Sequence, residues 1–140
     1  MVNPSDGRWT ILINRGATNG TIVSNNIILN QHAWRGSIGV DDMTNFRSDY
    51  NILNDKLGIE GDASTISFQA WQTLGLGVHT QVVAGLGNLF VNPALMNYQL
   101  QLSAIAIDNG TTEFNDLIFK DLRGICRPRG DGVDLGCYEY

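Results

Sequence analysis

Residues 32–35 carry side chains that could bind a ligand. His32 and Trp34 supply aromatic surface, and Arg35 supplies a cationic hydrogen-bond donor. Such a set suits a sugar, because the apolar face of a pyranose packs on an aromatic ring while its hydroxyl groups accept hydrogen bonds. A second role for Trp34 stays open, which is to cover the apolar end of a stack of strands. We therefore take His32, Trp34 and Arg35 as candidate ligand-binding residues.

Asp41 and Asp42 form the only adjacent pair of acidic residues and join the candidate ligand-binding set. Carboxylates attract hard cations such as Ca²⁺, but neither this pair nor Asp131 with Asp134 has the ligand spacing of a calcium loop. A glycosidase needs two carboxylates about 5–10 Å apart across the bond it cleaves. Neighbouring residues on a strand point to opposite faces. The sequence thus favours solvated turn acids and predicts no catalytic set and no cofactor, with Ca²⁺ bound at one of these acidic pairs as the alternative.

Length and charge exclude several classes of protein. The chain has 140 residues, 43% of them hydrophobic and 16% charged, which is typical of a folded domain. Its net charge is -5, and its two lysines are Lys56 and Lys120, so we expect neither nucleic acid nor an anionic membrane as a partner. Residues 1–7 show no basic and apolar segments of a signal peptide, and no apolar stretch is long enough to span a membrane.

The elements that must position these residues are mostly strands. Runs of Ile, Val, Leu and aromatic residues, each bounded by Gly, Asn or Asp, predict strands over residues 9–13, 21–29, 37–40, 81–84, 88–91 and 98–107. One segment, residues 67–74, has helical spacing. Ser67 can cap its N-terminus, Phe68, Trp71 and Leu74 recur at intervals of three residues, and Gly75 can end it. We expect Trp71 to pack this helix onto the strands.

An Asn-bounded apolar motif recurs along the chain. It occupies residues 26–30, 51–54 and 88–92, and 25 residues separate its first two copies. A period near 25 is typical of solenoid repeats. In a parallel β-solenoid identical side chains stack at about 4.8 Å, and an Asn amide can then bond the coils above and below. The 14 Asn and 16 Gly residues are consistent with the corners of such coils.

The second half of the chain resembles the terminal coils of bacterial right-handed parallel β-helix proteins of the pectate-lyase-like class. The resemblance rests on a series of segments in the expected order: residues 89–93, 98–102, 103–110, 121–128 and 132–140. It extends from about residue 22 to the end of the chain. It implies an all-β fold, a short right-handed parallel β-helix over residues 1–140 as one domain, with a short helix inserted near residues 67–74.

The resemblance also identifies a closing motif over residues 121–140. In this family the chain closes with a D-x-x-G-x-x-R-P segment and a D-I-G-A-x-E ending. The matching residues are Asp121, Gly124, Arg127, Pro128, Asp134, Gly136 and Glu139. We expect them to be structural, with Arg127 pairing with Asp134 or Glu139. Cys126 and Cys137 replace the usual residues of the same two motifs, which implies that they are neighbours and could form a disulfide; free thiols remain the alternative.

Relatives of this class are usually several hundred residues long, so the resemblance implies few coils here. Residues 1–20 are then expected either to fold over the first coil or to meet a second copy of the chain in a homodimer. The resemblance suggests a secreted or cell-surface protein, although no signal peptide is visible. It implies a non-catalytic module, structural or carbohydrate-binding. The alternative is a reduced polysaccharide lyase or glycoside hydrolase acting on a uronate-containing polymer.

Overall fold

The computed structural model describes residues 1–16, 20–59 and 64–140. This part of the chain is mostly β, with parallel sheets and one short α-helix, as the sequence predicted. It forms two compact units, residues 1–84 and 85–140, which are treated separately below. A single domain over residues 1–140 stays a prediction. Among the described residues, no helix has the length and apolar character needed to cross a membrane.

Two sheets make up the first unit. The first sheet contains β1 (Val2–Asn3), β3 (Ile22–Asn30), β5 (Arg47–Leu53) and β8 (Gln81–Val82), in that order, and all its neighbours are parallel. The second contains β2 (Ile11–Ile13), β4 (Ile38–Val40), β6 (Leu57–Ile59) and β7 (Ser64–Ile66). In it β2, β4 and β6 are parallel, while β7 runs antiparallel to β6.

From β1 to β6, successive strands alternate between the two sheets. β1 is followed by β2, β3 by β4 and β5 by β6, and each later strand lies beside its predecessor in the same sheet. Similar side chains are thereby stacked, with Ile27 beside Ile52 and Ile38 beside Leu57. The buried core includes Ile28 from the first sheet and residues such as Ile38 from the second, so it lies between the two sheets.

The predicted stacking of asparagines is confirmed for the first two copies of the motif. Asn26 lies beside Asn51, and the Asn51 side-chain oxygen accepts a hydrogen bond from the Asn26 main-chain nitrogen at 3.0 Å. Asn54 accepts in the same way from the main chain of Asn30 at 2.6 Å. These bonds satisfy polar groups inside the stack, which would otherwise be costly to bury. We call Asn26, Asn51 and Thr80, whose hydroxyl accepts from Asn51 at 3.2 Å, the polar ladder.

The third copy of the motif does not continue this stack. Residues 88–92 contribute to β9 (Phe90–Asn92), which pairs antiparallel with β10 (Asn97–Leu100) in the second unit. Asn92 instead caps a 3-10 helix, Pro93–Leu95, by accepting from Leu95 at 3.3 Å. The next strand of the first sheet is β8. Thr80, the residue directly before β8, takes the place expected of an asparagine.

The helix α1 (Phe68–Thr73) confirms the predicted segment. The Ser67 hydroxyl accepts from the Ala70 main chain at 3.2 Å, and Gly75 beyond the helix has a φ of 80°, which glycine adopts without steric cost. Trp71 is fully buried in the core and its ring meets Phe46 edge-on at 6.0 Å. The helix is therefore packed onto the strands through Trp71, as expected, whereas Leu74 is half exposed.

Residues 1–20 contribute strands rather than a separate cap, as far as the structure describes them. β1 and β2 are the outermost strands of their sheets. Trp9 is buried and lies across two glycines of adjacent strands: a Cβ on Gly39 would come within 3.0 Å of the indole, and one on Gly58 within 2.7 Å. Glycine at both positions thus makes room for the tryptophan. Residues 17–19 lie outside the described chain.

The second unit is less regular than the predicted terminal coils. Residues 85–140 are all described, and their only strands are the antiparallel β9 and β10. The predicted strand over residues 98–107 is too long, because the chain leaves β10 at Leu100 and turns, with Ala104 donating to Gln101 and Ile107 to Ala104. Side-chain hydrogen bonds, described below, replace sheet hydrogen bonds in much of this unit.

Candidate functional site

The loop between β3 and β4 presents Trp34 to solvent. The Trp34 side chain is 47% exposed, and it does not belong to the core between the sheets. The guanidinium carbon of Arg35 lies 4.1 Å from the centre of the indole, within cation–π range, and the His32 ring meets the indole edge-on at 5.3 Å. The structure thus brings together the three residues singled out from the sequence. The Trp34 indole therefore lies outside the core between the sheets, and a ligand-binding role for it stays a prediction.

Asn30, at the end of β3, anchors the start of this loop. Its amide group donates to the carbonyls of Arg8 at 2.6 Å and Gly36 at 2.9 Å, and its side-chain oxygen accepts from the His32 main chain at 2.8 Å. The end of the loop is fixed by packing, because a Cβ on Gly36 would lie 1.8 Å from the Lys56 carbonyl oxygen. Only glycine fits there, so the loop leaves and rejoins the sheets at defined points.

Within the loop, the His32 ring takes the place of a main-chain acceptor. Its Nδ1 accepts from the main-chain nitrogens of Trp34, at 3.2 Å, and Arg35, at 3.1 Å. The Lys56 ammonium donates to the Ala33 carbonyl. The loop therefore presents an exposed aromatic ring with the Arg35 guanidinium against it, on a backbone that is held at both ends. Chemically, this arrangement can stack on an apolar ring face and donate hydrogen bonds to ligand oxygens.

Asp41 and Asp42 are not part of this arrangement. They follow β4, whereas the Trp34 loop precedes it. Asp41 accepts from the Arg15 main chain at 3.1 Å, and Asp42 accepts from both the main chain and the hydroxyl of Thr44. The hydrogen bonds from Thr44 lower the pKa of Asp42. Both residues are turn acids, and among the described residues no group of three or more His, Cys, Asp or Glu side chains could hold a metal ion.

A second polar cluster joins Asp49 and His79, which the sequence offered only as members of a Ser-His-Asp assembly with Ser48 that lacks a nucleophile-elbow context. His79 Nδ1 lies 2.8 Å from a carboxylate oxygen of Asp49, and the His79 main chain donates to the other oxygen at 2.6 Å. The His79 ring stacks on Tyr50, with centres 4.4 Å apart. Burial opposes ionisation of Asp49, but the hydrogen bonds from His79 and Tyr50 outweigh it and lower its pKa.

A histidine oriented by a carboxylate is the usual form of a general base. Ser48, the serine that precedes Asp49, is buried and contacts the Asn51 amide at 3.4 Å. No nucleophile is therefore shown at His79. The pair could have been predicted only from the register that places residue 79 beside residue 50. That register depends on the interval of 29 residues from Asn51 to Thr80, which is longer than the 25 residues from Asn26 to Asn51 because it contains α1.

The closing motif is a set of buried carboxylates bound by main-chain nitrogens. Asp121 accepts from Arg123 and Ile125 at 2.8 Å through one oxygen and from Glu139 at 3.1 Å through the other, which also lies 3.3 Å from the Arg123 side chain. Burial raises the cost of ionising Asp121, but these hydrogen bonds outweigh it and lower its pKa. Gly124, with a φ of 82°, completes the turn around this carboxylate.

Glu139 and Asp134 bind the second half of the motif. Glu139 accepts from the main chains of Asp134 at 3.1 Å and Arg129 at 3.0 Å, and lies 3.2 Å from the Arg127 guanidinium. Arg127 also donates to the carbonyls of Asp134 at 3.0 Å and Gly136 at 2.7 Å. Burial raises the pKa of Glu139 despite these contacts. Glu139 and Asp134 are thus buried and bound to the chain itself, and a structural role for the motif stays a prediction.

The Arg127–Pro128 peptide bond within this motif is cis. Cys126 and Cys137 are free thiols with exposed side chains. Their pairing in a disulfide stays a prediction.

No protein-family model, curated protein or solved structure matches this chain.

Proposed function

We propose that this protein is a non-catalytic carbohydrate-binding module that binds a polysaccharide through Trp34. The observation that carries the proposal is the exposed indole, backed by Arg35 and His32 and standing on a loop anchored by Asn30 and Gly36. The indole offers a flat apolar surface with a polar neighbour, which is the kind of surface on which a partner with an apolar face can stack. The Arg35 guanidinium beside it is a donor group of the kind that binds hydroxyl or carboxylate oxygens.

The fold that supports this site is, in the same proposal, a short right-handed parallel β-helix related to the pectate-lyase-like class. Support comes from the alternation of strands between two sheets and from the parallel register of β3 with β5. The stacked asparagines support it as well. Right-handedness is expected because parallel crossover connections are almost always right-handed.

Binding can be tested with matched alanine variants. Trp34→Ala removes the indole, and Phe119→Ala removes an aromatic ring of similar exposure, 56%, from the other unit. Affinity electrophoresis and titration calorimetry against a panel of neutral and uronate-containing polysaccharides would measure both. We expect the Trp34 variant to lose about tenfold or more in affinity, as a central aromatic anchor does, and the Phe119 variant to bind like the wild type.

The same panel separates binding from turnover. Incubation with each polymer, followed by ultraviolet absorbance for unsaturated products and by reducing-end measurement, would detect a lyase or a hydrolase. Turnover of any polymer would contradict the non-catalytic proposal. Equal binding by Trp34→Ala and the wild type, or the failure of every polymer to bind, would overturn the role given to Trp34.

The homodimer through the N-terminal strands remains a further proposal. It is supported by the position of β1 and β2 at the outer edges of their sheets, since an unpaired edge can add a strand from a second copy. Size-exclusion chromatography with light scattering tests it. A chain that stays monomeric at high concentration would exclude this dimer.

A further inference from the structure

The hydrogen bonds of the His32 ring determine which of its two nitrogens carries the proton. Two main-chain N–H groups, those of Trp34 and Arg35, point at Nδ1. A nitrogen that accepts hydrogen bonds must carry a lone pair, so the proton of the neutral imidazole lies on Nε2. The doubly protonated ring has no acceptor and cannot make either bond.

These two bonds connect His32 to the binding surface described above. The residues that donate them are the two that form the exposed indole and its cationic neighbour. The His32 ring also contacts the indole directly, edge-on at 5.3 Å. If Nδ1 becomes protonated, it turns from acceptor into donor and faces two other donors. The loop must then rearrange, and the indole loses its support.

The charges around His32 add no counterion. The charged groups that the described contacts place on this loop are Arg35, against the indole, and Lys56, bound to the Ala33 carbonyl. Side chains of these two types stay cationic well above neutral pH. Asn30, which binds the His32 main chain, is uncharged. Of the side-chain types in these contacts, imidazole is the one that ordinarily gains a proton in mildly acidic solution.

We propose that His32 is a positioning residue that holds the Trp34 surface only in its neutral, Nε2-protonated form, so that acidification releases the loop and weakens carbohydrate binding. The proposal rests on the proposed function for its binding consequence, but its structural part stands on the two hydrogen bonds alone. Mild acid thus acts as a release signal for the ligand.

The tautomer can be measured without any ligand. Long-range proton–nitrogen correlation spectra of the histidine rings at about pH 7.5 distinguish Nε2–H from Nδ1–H. The chain has two histidines, so the spectrum of His79→Asn assigns the remaining ring to His32. We expect the Nε2–H form, with the main-chain amide signals of Trp34 and Arg35 moving together with the His32 ring on acidification. The proposal would be overturned by an Nδ1–H ring. It would also be overturned if the Trp34 and Arg35 amide signals stayed unchanged while the His32 ring signals shifted with pH.

Two substitutions then separate positioning from mere packing. His32→Asn keeps an acceptor that can bond the main chain two residues on and does not titrate in this range, whereas His32→Phe keeps a flat ring without an acceptor. With a polysaccharide identified by the panel, we expect wild-type affinity to fall about thirtyfold between about pH 7.5 and pH 5, as the loss of two hydrogen bonds implies. The Asn variant should bind equally at both pH values, and the Phe variant weakly at both.

His79→Asn serves as the matched control, because it removes the other histidine and leaves this loop intact. It should keep the pH response of the wild type. A response that disappears in His79→Asn, or one that persists in His32→Asn, would contradict the role of His32. If no polysaccharide binds, the proposed function fails while the tautomer and the linked amide titration still test the structural part.

Discussion

Asn51 is the side chain whose removal should most disturb the first unit. It is completely buried, and its side-chain amide makes three well-formed hydrogen bonds. The amide oxygen accepts from the Asn26 nitrogen at 3.0 Å, and the amide nitrogen donates to the carbonyls of Val23 at 2.8 Å and Asp49 at 2.9 Å. A typical hydrogen bond contributes about 1 kcal/mol net, and a buried group left unpaired costs about 1–3 kcal/mol. Asn51→Ala breaks all three bonds at once, so we expect it to lower the free energy of unfolding by about 3 kcal/mol or more.

Urea unfolding followed by fluorescence and circular dichroism would measure this loss. Asn14→Ala, which removes an exposed asparagine, is the control and should stay within about 0.5 kcal/mol of the wild type. Asn51→Asp is a sharper test, because it keeps the shape of the side chain but directs an oxygen at two carbonyls. It should cost at least as much as Asn51→Ala. If Asn51→Ala unfolds at the same urea concentration as Asn14→Ala, the polar ladder does not stabilise the stack.

Two further predictions concern packing and pH. Gly58→Ala should destabilise the chain by about 1–3 kcal/mol, because the new methyl group overlaps the Trp9 indole, while Gly85→Ala, which meets nothing within 4 Å, should be nearly neutral in the same unfolding assay. The pKa of Asp121 is lowered in the folded chain, so its contribution to stability is complete above the ordinary aspartate value of 3.8 and is lost as the pH falls through the lower folded value. Unfolding measured from neutral pH down to about pH 2 should therefore show a smaller acid loss in Asp121→Asn than in the wild type; parallel curves would contradict this assignment.

Local patterns in the sequence predicted those features that depend on neighbours along the chain. The helix over residues 67–74 needed only a cap at Ser67, a stop at Gly75 and the spacing of its apolar residues, and it is present as Phe68–Thr73. The stacked pair Asn26 and Asn51 could be predicted as well, because both lie on long strands of the same apolar pattern.

Features that depend on register were missed. The motif at residues 88–92 has the right composition, yet β9 pairs with β10 because a four-residue connection makes the antiparallel partner the nearest one. Thr80 was not recognised as a ladder position, since a hydroxyl can replace an amide oxygen as the acceptor without any likeness in sequence. The same gap concealed the contact between Asp49 and His79, which lie 30 residues apart.

The loop that carries Trp34 was identified by residue type, but its internal structure was not. Nothing in the letters of residues 32–35 indicates that the His32 ring would accept from two main-chain nitrogens. That arrangement depends on Asn30 and on the close approach of Gly36 to Lys56, both of which are set by the neighbouring strands.

The hydrogen bonds of the polar ladder all run in one direction along the chain. The side-chain oxygen of Asn51 accepts from the main chain of Asn26, and the Thr80 hydroxyl accepts from the main chain of Asn51. Outside the ladder, Asn54 accepts from the main chain of Asn30 in the same direction. Each later segment thus satisfies a nitrogen of the earlier one. The two possible truncations therefore orphan different groups of the same residue: removing β8 and its ladder residue would take the Thr80 hydroxyl from the main-chain N–H of Asn51, whereas removing β3 would leave both the side-chain oxygen and the side-chain nitrogen of Asn51 short of one partner.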